Sequence, residues 1–123
     1  MKIFFDGGLR PGGMEYAVVI GGRARIVRDL GLGTSMTAEW LALIAATRAA
    51  HEAGLIDALL LGDAAAVVAQ ANGKVRVPPA HIAHFAEWSA LPRPPRFRLR
   101  HIKRTQNLAG IALGQVHQGL PPP

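Results

Sequence analysis

Three carboxylates stand apart from the residues around them: Asp6 closing the run KIFFD, Glu39 inside TAEWLALIAATRAA, and Asp63 after DALLLG. Each has an ordinary structural explanation. Asp6, followed by Gly7 and Gly8, could open a turn. Glu39, in the first turn of a helix, suits the positive end of the helix dipole. Asp63 could cap the helix that follows it. Taken together they suggest chemistry, because close carboxylates repel one another and take raised pKa values unless a cation sits between them. Hard oxygen donors select Mg²⁺ or Mn²⁺ over zinc. Two such ions, roughly 3.5–4 Å apart, can activate a water and stabilise the leaving oxygen in phosphodiester cleavage.

The elements that would position these residues follow from the hydrophobic pattern. KIFFD (2–6) reads as a strand that stops at Gly7-Gly8, EYAVVI (15–20) as a second and RARIVRDL (23–30) as a third, joined by the Gly21-Gly22 turn. A helix from Thr37 to about Gly54 places Ala42, Leu43, Ala46 and Ala50 on the face of Glu39, an apolar stripe suited to packing on a sheet. DALLLG (57–62) is a buried-type strand, and AAAVVAQAN a short helix. A further helix is expected around 80–90, before prolines 92, 94 and 95. RFRLRHIK (96–103) alternates as a strand, with Phe97, Leu99 and His101 on one side. A last helix begins near Asn107, and the tail 119–123 is expected to fray.

The order β-β-β-α-β-α-(α)-β-α implies an α/β layered fold over a mixed five-stranded sheet: three antiparallel strands, then two parallel ones. Tracing directions brings Asp6, the start of the first long helix and Asp63 to one end of that sheet, provided strands one and four are neighbours.

Charge points to the partner. The chain of 123 residues carries a net charge of +6 and a pI near 11.1, which favours an anionic partner, nucleic acid first. Glu87 is the last acidic residue. Arg93, Arg96, Arg98, Arg100, Lys103 and Arg104 follow it. A basic stripe of this kind can also be a merely solvated face. Absence of cysteine excludes disulfides and thiolate metal sites and suits a reducing compartment. No apolar run is long enough to span a bilayer, and no signal peptide is read at Met1. The expectation is one domain over 1–118, cytoplasmic, with no membrane association and no obligate protein partner.

IFFDGG (3–8), TAEWLALIAA (37–46), LLLGDAAAVVAQANG (59–73) and HIKRTQN (101–107) resemble, in order and spacing, the ribonuclease H family, type 1, in its compact branch without the extra basic protrusion. The resemblance implies an RNA–DNA hybrid as substrate, hydrolysis of its RNA strand to leave 5′-phosphate ends, and up to two Mg²⁺ or Mn²⁺ ions. It places Asp6, Glu39 and Asp63 on three of the four acidic positions, as metal ligands and catalytic residues. Gly7, Gly8, Lys103 and Arg104 are the implied nucleic-acid contacts.

The family's last helix reads N-x-x-A-D-x-L-A. Here Ile111 stands at the Asp position, where it would complete an apolar stripe with Leu108 and Ala112, and Met36 stands where the family often has Asn. His101 and Asn107 are candidate substitute ligands, against a core role for the first and a helix-cap role for the second. An enzyme with a three-carboxylate site is the leading reading. The alternative is a non-catalytic nucleic-acid-binding module on the same fold.

Overall fold

The first strand does not stop at its glycines. In the computed structural model, which describes residues 1–119, β1 (Lys2–Arg10) runs through Gly7-Gly8 and pairs antiparallel with β2 (Gly13–Ile20) from Ile3 opposite Ile20 to Arg10 opposite Gly13. Beyond Gly119, the tail expected to fray lies outside the described residues. Glycine in a strand marks close approach of another element. At Gly7 a Cβ would lie 2.3 Å from the Ala38 carbonyl carbon, so only glycine lets the long helix lie against the strand.

Gly21 and Gly22, with φ of 58° and 76°, make the tight turn to β3 (Arg23–Val27), which ends three residues earlier than its pattern suggests. α1 (Ser35–Glu52) starts two residues before Thr37, because Thr34 caps it: the Thr37 N–H donates to Thr34 Oγ1 at 3.1 Å. β4 (Asp57–Gly62) lies parallel to β1, and β5 (Arg96–His101) parallel to β4. Between them run α2 (Ala65–Ala71) and α3 (Ile82–Ala90), and α4 (Leu108–His117) closes the order. The sheet order is β3-β2-β1-β4-β5, so strands one and four are neighbours as the direction argument requires.

Two layers of helix cover the sheet. On one side α1 buries Ala42, Leu43, Ala46 and Ala50 completely in one cluster with Ile3, Phe5, Val18 and Leu60, and Ala38 against Gly7. Alanine at this spacing lets helix and sheet approach closely. α3 packs outside α1, where the Trp88 indole N–H donates to Thr47 Oγ1 at 2.8 Å. On the other side α4 packs Ala109, Ala112 and Leu113 on Ala17 and Val19.

Two expectations about core residues are corrected here. Ile111 and Leu108 do not join a buried stripe; each is 42% exposed, because the face that meets the sheet is 109, 112 and 113. His101 is also exposed, although Leu99, two residues earlier on the same side, is buried. It occupies the last β4–β5 pair, opposite Gly62, where the core ends. Among the described residues no helix is long and apolar enough to cross a membrane.

Candidate active site

β1, α1 and the end of β4 meet around a cavity of about 440 Å³ lined by Asp6, Glu39, Asp63 and Arg104, among others. Strand alternation places Asp6 on the α4 side of the sheet, two residues beyond Phe4, which packs there. Gly110 of α4 lies directly over it: a Cβ at 110 would be 3.2 Å from Asp6 Oδ2.

Glu39 is in the second turn of α1, not the first, since Thr34 starts the helix early. The dipole explanation weakens accordingly, because that effect fades beyond the first turn. Instead the Gly7 N–H donates to Glu39 Oε1, so the glycine that admits the helix also holds the carboxylate. Asp63 does not cap α2, whose cap position is Ala64, with no side-chain bond. Its Oδ1 accepts from Asn107 Nδ2 at 2.5 Å, and the same amide donates to the Phe5 carbonyl at 3.0 Å. Fully buried Asn107 accepts the Ala109 N–H at 3.1 Å, capping α4. One side chain thus fastens β1, Asp63 and α4 together, and its oxygen is engaged in the cap.

The electrostatics are those of crowded acids. Burial, and then the charge of Asp63, push the Asp6 carboxyl up to about 7, while Arg104 pulls it the other way. Burial and then the charge of Asp6 push Glu39 up to about 9, opposed by the Gly7 N–H. Among the described residues no three His, Cys, Asp or Glu side chains form a ready metal cage. The donor chemistry nonetheless fits a hard divalent cation: three oxygen acids, two of them held near neutrality by mutual charge and burial, are what such a cation would discharge.

Of the other residues singled out, Gly7, Gly8 and Arg104 line the cavity. Lys103 is exposed just before a short 3₁₀ turn at 104–106. His101 borders a different cavity, between α2 and β5. Met36 packs against the main core, and Ile111 is not among the lining residues. Among the lining residues passed over in the sequence is one acid, Glu15 of β2, which is buried. Its signal was an acid in the strand GMEYAVVI on the face shared by Ala17 and Val19.

The pattern of the reverse transcriptase-like family matches residues 19–117. The chain belongs to that family. Solved structures agree with a ribonuclease H-like member of it. RNase H1 of the halophilic archaeon Halobacterium salinarum is 26% identical, with 96% of this chain and 97% of that one covered and a TM-score of 0.74. LC11-RNase H1, isolated from compost, is 28% identical over 86% of each chain, with a TM-score of 0.73. The N-terminal RNase H domain of a Mycobacterium tuberculosis protein is 25% identical over 96% of each, with a TM-score of 0.71. No curated protein sequence matches the chain. The mixed sheet and helix order of this reverse transcriptase-like member are those of the ribonuclease H-like fold.

Proposed function

We propose that the chain is a ribonuclease H-type endonuclease that hydrolyses the RNA strand of RNA–DNA hybrids, with up to two Mg²⁺ or Mn²⁺ ions held by Asp6, Glu39 and Asp63. The observation that carries this reading is the convergence of those three carboxylates, from three separate elements, in one cavity of a ribonuclease H-like fold. LC11-RNase H1 has been crystallised with an RNA/DNA hybrid, which supports the substrate class.

Bound divalent cations would supply an activated water and charge stabilisation at the phosphate. The chain's own residues do the rest. Gly7 and Asn107 hold Glu39 and Asp63 in place through one hydrogen bond each. Arg104 contributes positive charge beside Asp6, where a phosphate must approach. Gly8, without a side chain, keeps the cavity open along β1. With Ile111 in the fourth acidic position, the second ion lacks a ligand, so weaker binding of that ion and a preference for Mn²⁺ are expected.

Strand choice tests the substrate. With RNA and DNA strands carrying different labels, cuts should fall in the RNA alone and leave 5′-phosphate ends. Cuts in the DNA strand, or equal cleavage of duplex DNA, contradict the reading.

A further inference from the structure

Only 3% of the Glu15 side-chain surface is exposed, yet three basic groups converge on it. Oε2 lies 2.6 Å from His117 Nε2 and 3.6 Å from Arg10 Nε, and Oε1 lies 3.6 Å from Arg28 Nε. The three come from different elements: the end of β1, the segment after β3, and the last turn of α4. A buried charge cluster is a poor way to stabilise a fold, since well-packed apolar groups do as well or better. Its retention beside the carboxylate cavity, which Glu15 and Arg10 both line, calls for another role.

The backbone is bent to make this cluster. Val27 is the last β3 residue paired with β2, opposite Tyr16. Pairing resumes only at Leu30 and Gly31, which exchange hydrogen bonds with Met14 at 2.9 Å. Arg28 and Asp29 therefore bulge opposite the single residue Glu15, and Asp29 takes a left-handed φ of 57°. Bulges re-aim side chains, and a left-handed non-glycine residue is a local cost that surrounding structure must sustain.

The two guanidinium groups approach Glu15 through Nε, and their side chains remain 49% and 47% exposed. Their terminal nitrogens stay available. Arg10 and Arg28 flank the one carboxylate, and Arg10 lines the cavity that Asp6, Glu39, Asp63 and Arg104 also line. We propose that Arg10 and Arg28, aligned by the buried carboxylate of Glu15, form an anion subsite that takes a backbone phosphate of the nucleic acid next to the one cut. The subsite rests on the nuclease reading. It deepens that reading by setting where the strand lies: from the carboxylates, across Gly8, toward the β1–β2 end of the sheet. Glu15 is a positioning residue here, and touches no substrate.

The test is the salt dependence of hybrid binding, measured with Mg²⁺ in an Asp63→Asn background so that substrate binds uncut. Each phosphate contact contributes about 0.9 to the slope of log K against log salt. Arg10→Ala with Arg28→Ala should lower affinity at least tenfold at low salt and flatten the slope by about 0.9, for one phosphate contact. Glu15→Gln makes the protein more positive, so charge alone predicts equal or tighter binding; loss of alignment predicts binding several-fold weaker. An unchanged slope in the double variant, or equal or tighter binding by folded Glu15→Gln protein, overturns the subsite. If Glu15→Gln does not fold, Arg28→Ala alone, at a half-exposed position, must still flatten the slope by a measurable part of that change. Wild-type protein that cuts hybrid while the double variant keeps its slope removes the subsite alone. Wild-type protein that neither binds nor cuts hybrid removes the nuclease reading and the subsite with it.

Discussion

Asp6 and Glu39 have pKa values raised to about 7 and about 9, and this fixes the sign of a pH effect. A group whose pKa is higher folded than unfolded contributes stability that is complete below its unfolded value and is lost as pH rises through the folded one. The metal-free protein should therefore lose this contribution to thermal stability from about pH 4, the unfolded carboxyl range, to about pH 9, unlike a protein limited by paired acids. Glu39→Gln should flatten the upper part of that decline, and Mg²⁺ should oppose it; melting curves in chelator and in Mg²⁺ give the answer. Two glycines of α4 offer a second contrast at this scale. A Cβ at Gly114 meets nothing within 4 Å, so Gly114→Ala should gain up to about 1 kcal/mol from helix propensity. A Cβ at Gly110 lies 3.2 Å from Asp6 Oδ2, so Gly110→Ala should lower cleavage by displacing that carboxylate. Steady-state cleavage and denaturant melts on the two variants separate these effects.

At the scale of elements, the meeting of β1 and α1 decides the site. Gly7→Ala puts a Cβ 2.3 Å from the Ala38 backbone, and overpacking of this kind typically costs about 1–3 kcal/mol. The variant should be destabilised at least that far and lose cleavage more steeply than stability, because the same shift moves Glu39; a nearly unaffected melting curve would contradict the close approach. The elements themselves were legible from periodicity, and so was the parallel β1–β4 neighbourhood that brings Asp6 and Asp63 together. Their ends were not. Gly7-Gly8 reads as a stop because glycine usually breaks a strand, whereas here it admits a helix. Glu39 reads as a first-turn acid until Thr34 is seen to cap the helix earlier. Ile111 fits an apolar stripe by spacing alone, yet the face meeting the sheet is set by Ala109, Ala112 and Leu113, which one-dimensional spacing did not select. Glu15 and Arg28 could not be paired from sequence, because the bulge that joins them has no local signature beyond a single aspartate.

For the molecule as a whole, one sheet gathers acids at one end while basic side chains follow β5 and border the cavity. The net charge of +6 acts as a long-range term and the carboxylate cavity as a short-range one. Hybrid affinity should thus fall steeply with salt, while cleavage at saturating substrate should depend on the divalent cation. The most direct measurement is cleavage of a labelled RNA–DNA hybrid in Mg²⁺ and, separately, in Mn²⁺, with Asp6→Asn protein purified identically as the control. The account predicts RNA-strand cleavage by the wild type, stronger in Mn²⁺, that the control lacks. No cleavage in either metal, with salt-dependent binding of the hybrid intact, would contradict it and leave a binding module.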